Sequence, residues 1–249
     1  LFDGLNLTWE TLEGLAKHNG PVLDPSWALA EANSEYDLQL ATWPSLEAQV
    51  AAIVDDIAYD NHDIDDGLRA GLIGIDELMT VPLVARSWDR VRARFPDVEE
   101  ARLLPEMVRD QIGCMVNDVL EETRRRVDEA DVESADDVRA AGQALAGFSE
   151  EMAREERQLK AFLYDHIYRS DPIRAVADEA QRLLAGLFAA YRDDPSLLPP
   201  EWRTGAEDRT AILRRIGDFI AGMTDRFALG EHWRLTGHRV DWPAFQPTE

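Results

Sequence analysis

The sequence predicts an all-α fold. Apolar residues recur at helical spacing along nearly the whole chain, no alternating run rich in β-branched residues rises above that pattern, and cap and stop signals bound the periodic stretches. With 249 residues, 45% of them hydrophobic and 30% charged, the chain is long and apolar enough for one or two compact domains. No repeat at a fixed period is present.

The first predicted helix runs from Leu5 to His18, with Leu5, Trp9, Leu12 and Leu15 at helical spacing, and His18-Asn19-Gly20-Pro21 stops it. A loop carrying Pro21, Pro25 and Pro44 follows. Ser45 is placed to cap the next helix, where Glu47 suits the positive end of the dipole, and Leu46, Val50, Ile53 and Ile57 form one stripe facing a core. Gly67, Gly71 and Gly74 punctuate its end. A further amphipathic run passes through Val84, Trp88, Val91 and Phe95 and stops at Pro96. Pro105 fits the first turn of a long helix reaching Val127, because its missing N–H costs nothing there. The acidic stretch 128–137 reads as a solvated connection. Ser149 caps a helix continuing through Tyr164 and Tyr168, Pro172 opens another ending near Tyr191, and residues 193–205 form a proline-bearing loop. One helix from Asp208 to Leu229 closes the fold, and the tail beyond Gly230 is weakly patterned. A domain boundary is expected near Val84, dividing 1–83 from 84–249, where carboxylate-rich, glycine-broken sequence gives way to long amphipathic helices.

Composition narrows the function. No run of about 18 apolar residues occurs, and the N-terminus lacks the basic-then-apolar pattern of a signal peptide, so a cytoplasmic protein without a membrane span is expected. The formal charge of -23 repels a nucleic-acid backbone over most of the surface. A small anionic substrate would need a metal ion and local cations, and since Lys17 and Lys160 are the only lysines, arginine supplies most of the positive charge. Cys114, the lone cysteine, lies in the apolar run 112–119 and reads as an inert buried thiol. Leu1 is not an initiator methionine, and the first segment opens in mid-motif, as expected for a piece of a longer chain.

The segment richest in chemistry is Asp55-Asp56-Ile57-Ala58-Tyr59-Asp60-Asn61-His62-Asp63-Ile64-Asp65-Asp66-Gly67. Steps of four residues advance about 40° around a helix, so Asp55, Tyr59 and Asp63 form a leaning stripe opposite the apolar one, with His62 close to the same face. Carboxylates with an imidazole suit a divalent cation serving a phosphate ester; a solvated acidic helix face has the same spacing. The dipeptide His62-Asp63 invites reading as a histidine–aspartate metal pair. That pair needs an earlier histidine, for which His18 is available, and a later aspartate, for which no downstream candidate has supporting surroundings; the dipeptide is therefore read as coincidental.

Four blocks in order carry a resemblance to a known family. They are Leu5-Asn6-Leu7-Thr8-Trp9-Glu10-Thr11-Leu12-Glu13-Gly14-Leu15 with Lys17-His18-Asn19-Gly20; Asp55-Asp56-Ile57-Ala58-Tyr59 with His62-Asp63; Leu159-Lys160-Ala161-Phe162-Leu163 with Tyr168-Arg169; and Gly222-Met223-Thr224-Asp225-Arg226-Phe227-Ala228. The chain resembles the bacterial deoxyguanosinetriphosphate triphosphohydrolase-like proteins of the HD superfamily. The resemblance implies a multi-helix HD-type phosphohydrolase fold with an associated C-terminal helical region. It further implies a divalent metal ion such as manganese or magnesium, assembly into homo-oligomers, and hydrolysis of deoxynucleoside triphosphates, dGTP among them, to deoxynucleoside and triphosphate. Asp55 then takes the place of the family's last metal-ligating aspartate, while Tyr59 and Asp63 take the places of residues at the deoxyribose. A tyrosine can pack on a sugar lacking its 2′-hydroxyl, and a carboxylate can accept from the 3′-hydroxyl. His62 has no catalytic place in this correspondence. The family's first metal histidine, its histidine–aspartate pair and the histidine and glutamate that assist the chemistry all precede the stretch matching Leu1 onward.

Other residues have two readings each. Lys17, His18 and Arg69 suit phosphate oxygens or an ordinary surface; Tyr164, His166 and Tyr168 suit packing at the solvent boundary or a site; and Thr224-Asp225-Arg226 suits a charge-assisted tie between helices or a substrate contact. For the whole chain, the alternatives to a triphosphohydrolase are a non-catalytic helical module for nucleotide binding or oligomerisation, and another HD activity such as a cyclic-nucleotide or alarmone phosphodiesterase. The long helix opened by Pro105 is a candidate subunit face, or else intramolecular core on both sides.

Overall fold

The structure, a computed structural model, describes residues 5–203 and 208–240. The described residues form eleven α-helices and no strand, so the chain is all-α. None of these helices is long and apolar enough to cross a membrane. The chain divides into two compact units, the first ending at Tyr164 and the second beginning at Asp165. The division expected between residues 83 and 84 falls within the first unit, inside a helix that packs on two others of that unit.

The first unit holds α1 (Trp9–Ala16), α2 (Trp27–Glu35), α3 (Leu46–Arg69), α4 (Ile75–Leu78), α5 (Pro82–Arg94), α6 (Glu100–Ala130), α7 (Ala135–Ala140) and α8 (Glu150–Leu163). Helix α6 packs on both α3 and α5, and α8 packs on the same two helices, so the four make the body of the unit. Leu83, Val84, Trp88 and Val91 of α5 are buried together with Leu103, Met107, Met115 and Val119 of α6 and Ile57 and Ile64 of α3. Each such side chain contributes roughly 1.5–3 kcal/mol by leaving water. Where α5 meets α8, Arg86 grips both oxygens of buried Glu155.

Local chemistry sets the helix starts. Ser45 accepts a hydrogen bond from the Ala48 N–H and begins α3. Ser149 accepts from the Met152 N–H and begins α8; it also donates through its N–H and hydroxyl to Asp118 of α6 at 2.8 and 2.7 Å. Three elements expected in the first unit differ from the structure. The loop after Pro21 contains α2, capped by Ser26, and the acidic connection contains α7, capped by Ser134; α2 buries no side chain and α7 only Val138, so neither leaves an apolar stripe to read. Pro105 lies inside α6, not in its first turn, because the helix opens at Glu100, with Glu99 at the N-cap position making no side-chain cap. The carbonyl of Ala101 thereby loses its donor, and Ala101 is exposed, where water can serve it. The stripe Leu103, Met107, Gln111, Met115 and Val119 of α6 is intramolecular core.

A single π-helical turn, Tyr164–Tyr168, follows α8; its Tyr164, His166 and Tyr168 are exposed and Ile167 is buried. The second unit contains α9 (Asp171–Asp193), two short 3-10 turns, α10 (Arg209–Ala221) and α11 (Asp225–Thr236). Leu183, Leu187 and Tyr191 of α9 pack with Ile216 and Phe219 of α10 and Ala228 of α11. The single closing helix expected from Asp208 to Leu229 is two helices. Gly222 ends α10, and Thr224 caps α11 by accepting from the Phe227 N–H, which is what the Thr224-Asp225-Arg226 block does locally. The weakly patterned tail after Gly230 is helical to Thr236, held by Glu231, which accepts from the Tyr191 hydroxyl at 2.6 Å and pairs with Arg234.

Candidate functional site

Helix α3 carries the candidate site on the edge away from its buried stripe. Asp55 and Tyr59 are exposed, Tyr59 at 62%, and Asp63 is half-buried. The three sequence-predicted residues therefore share one side of one helix, as their spacing requires. His62 is exposed and lines a cavity of about 150 Å³ against Pro105, Val108 and Ile112 of α6.

Beside Asp55 stands α1, fixed by a buried charge cluster. Glu13 and Lys17 are fully buried and paired at 2.8 Å, and Arg139 of α7 holds both oxygens of Glu13 at 2.8 and 2.9 Å. The Lys17 ammonium also donates to the Gln39 carbonyl, the Thr42 hydroxyl and the Trp43 carbonyl. Burial raises the Glu13 pKa, and the hydrogen bonds from Arg139 and Lys17 more than reverse this, so its carboxyl sits below the ordinary range. Every donor of Lys17 is thus engaged inside the fold, and it is neither a phosphate ligand nor a surface residue. Gly14 lets α1 approach α3: a Cβ there would stand 3.2 Å from that of Ala48. Gly20, at φ 97° and against the Trp43 ring, turns the chain after α1.

This anchoring places His18 against the site. Its Nε2 is 3.8 Å from Asp55 Oδ2, with both side chains about half exposed. His18 also lines both a groove of about 710 Å³ between α1, the start of α3 and α7, and a smaller cavity of about 190 Å³ bordered by Asp56. Arg69 is committed to Asp65 at 2.8 Å. Among the described residues no three His, Cys, Asp or Glu side chains converge as a metal-binding group. Asp55 and His18 form a partial oxygen and nitrogen donor set, too few to hold a catalytic cation by themselves.

Two residues of this region had no role assigned from the sequence. Asp60, only 4% exposed, lies in the buried stripe between Ile57 and Ile64, and its Oδ2 has no hydrogen-bond partner. Burial pushes its pKa up to about 7; Lys160 opposes the shift, and Glu156, Asp56 and Asp63 add to it. The signal was present, since a carboxylate at the helical spacing of a core stripe is out of place. Lys160 of α8 bridges Asp56 at 3.2 Å and Glu156 at 2.5 Å. Cys114 is half-buried, accepts from Arg90 at 2.9 Å, and has a pKa raised chiefly by burial, in keeping with an unreactive thiol.

Residues 146–234 match the phosphohydrolase-associated domain family. Three relatives are each a deoxyguanosinetriphosphate triphosphohydrolase-like protein. The one from Parvibaculum lavamentivorans is 51% identical over 243 residues, covering 94% of this chain and 61% of the relative. Those from Brucella ovis and Bradyrhizobium diazoefficiens are each 49% identical, covering 96% and 94% of this chain and 62% of their own length. The chain therefore spans about three-fifths of the relatives it matches. With about half of its residues identical over nearly all of its length, and with the phosphohydrolase-associated domain present, the chain is similar to deoxyguanosinetriphosphate triphosphohydrolase-like proteins, in keeping with the HD superfamily.

Proposed function

We propose that the intact protein hydrolyses deoxynucleoside triphosphates to deoxynucleoside and triphosphate in a reaction that depends on a divalent metal ion, manganese or magnesium among the candidates. The observation that carries this reading is the shared edge of α3, where Asp55 and Tyr59 are open to solvent in a row with Asp63 and His18 stands at Asp55. In this reading Asp55 is one ligand of the ion, which supplies charge for the phosphoryl oxygens when bound. The other ligands belong to the two-fifths of the relatives' length outside the match. Tyr59 offers its ring to the deoxyribose, and the Asp63 carboxylate accepts from the sugar 3′-hydroxyl. The copies of the chain assemble into a homo-oligomer, and the compartment is the cytoplasm.

The test is triphosphate release from the four deoxynucleoside triphosphates by the full-length protein with added manganese. Asp55→Ala is expected to lower turnover on the order of 100-fold or more, as loss of a direct metal ligand should exceed the loss seen for outer partners. Turnover equal to wild type would remove Asp55 from the site. A second reading has its own observation: no three-donor metal group exists among the described residues, so residues 1–249 by themselves would bind nucleotide or assemble without catalysis. Release of triphosphate by a protein limited to residues 1–249 would exclude it.

A further inference from the structure

The seam between α3 and α8 gathers carboxylates. Asp60 feels Asp56 and Asp63 of its own helix and Glu156 of α8 as like charges, and Lys160 of α8 as an opposing one. Lys160 spans Asp56 and Glu156, so one ammonium is shared among those two carboxylates and Asp60, and its pull on Asp60 is outweighed by burial. Asp60 is in the most confined position of the group, 96% buried, with Oδ2 unpartnered. An ionised carboxylate there would be desolvated with Oδ2 lacking a hydrogen bond and faced by like charges; a neutral acid there is tolerated. On either side of Asp60 along the helix are the residues read as facing the nucleotide, Tyr59 adjacent and Asp63 three residues on.

We propose that Asp60 is a positioning residue: as the neutral acid it lets the edge of α3 bearing Tyr59 and Asp63 seat on α8 through the Lys160 bridge, and as the carboxylate it loosens that seat. The role rests on the assignment of Tyr59 and Asp63 to the deoxynucleotide. Because the seat shapes the edge read as facing the nucleotide, its loosening is read in KM, with kcat followed alongside because Asp56 of the bridge adjoins Asp55. The seam also contributes to stability. Asp60 binds a proton in the fold at pH values where the unfolded chain has released it, so the contribution is full at low pH and declines as pH rises from the ordinary aspartate range to about 7. Above that range the loss is complete and the dependence flattens.

The experiment uses the full-length protein and its Asp60→Asn variant, the amide standing in for the neutral acid. KM and kcat for a deoxynucleoside triphosphate with manganese are measured from about pH 6 to about pH 8.5, and thermal melts without nucleotide from about pH 5 upward. Wild-type KM is expected to rise through this range, by no more than about tenfold per pH unit for one proton, while Asp60→Asn lacks that rise. The substrate's own phosphate titrates identically in both, so the difference between the two proteins is the signal. The melting temperature of Asp60→Asn should gain on wild type as pH approaches neutrality. Lys160→Gln, which removes the bridge itself, should raise KM across the range and flatten its pH dependence, and Lys160→Arg should restore both. Identical KM profiles in wild type and Asp60→Asn overturn the proposal, whether or not the melts differ. Absence of turnover in both proteins fails the assignment of the site, and the positioning role falls with it; only that outcome touches both.

Discussion

Lys17 shows how burial reassigns a residue. In sequence it stands beside His18 as one of two lysines in a strongly acidic chain, which suits a phosphate ligand. In the fold it is the pivot of a buried cluster that fixes α1 beside α3. Lys17→Met should therefore lower unfolding free energy by about 3 kcal/mol, the lower end for removing one partner of a buried pair, because Arg139 still serves Glu13. Urea denaturation of the full-length protein measures it, and a change under about 0.5 kcal/mol, typical of a surface site, would refute the structural role. Glu13 gives the complementary dependence on acid. Its folded pKa is depressed below the ordinary 4.5, so its contribution is present above that value and is lost as pH falls through the depressed one. Melts of Glu13→Gln and wild type should thus converge as pH falls from 4.5 through the depressed value. Legibility at this scale followed periodicity. That Asp55, Tyr59 and Asp63 share one edge was readable because one helix carries them, whereas His18 at Asp55 and Lys160 at Asp56 are contacts between segments far apart in sequence.

At the scale of elements, the caps were the most legible feature because their physics is local. Ser45 and Ser149 each accept from an N–H three residues on, and both were readable as caps. Their tertiary reach was not readable. Ser149 also joins α8 to α6 through Asp118, so Ser149→Ala should cost about 2 kcal/mol. Ser26→Ala, at the start of exposed α2, should cost under about 1 kcal/mol. Equal losses in chemical denaturation would mean that the Asp118 bridge adds nothing. The break between α10 and α11 was masked because apolar residues continue across it, and only Gly222 with Thr224 marked the restart. Pro105 misled for a related reason: proline is favoured at a helix start, yet it is tolerated in α6 where the carbonyl it orphans is exposed.

At the scale of the whole molecule, charge and architecture bear on the same question. The all-α class was legible throughout because the helical period dominates, while the compact units follow packing between distant helices, which no composition shift near Val84 records. A chain of net charge -23 repels a triphosphate until local cations and metal take over, so added salt should help the encounter. The KM for a deoxynucleoside triphosphate is expected to fall as ionic strength rises from about 0.05 to about 0.2 M, over which the Debye length drops by about half. A KM that rises instead would mean that a cationic site field outweighs the rest of the surface. Whether the exposed edge of α3 serves metal-dependent deoxynucleoside triphosphate hydrolysis is decided by triphosphate release from the full-length protein, wild type against Asp55→Ala, with and without manganese. Metal-dependent release by wild type that is lost in Asp55→Ala is the predicted result; release by wild type that is independent of metal or unchanged in Asp55→Ala would contradict the account.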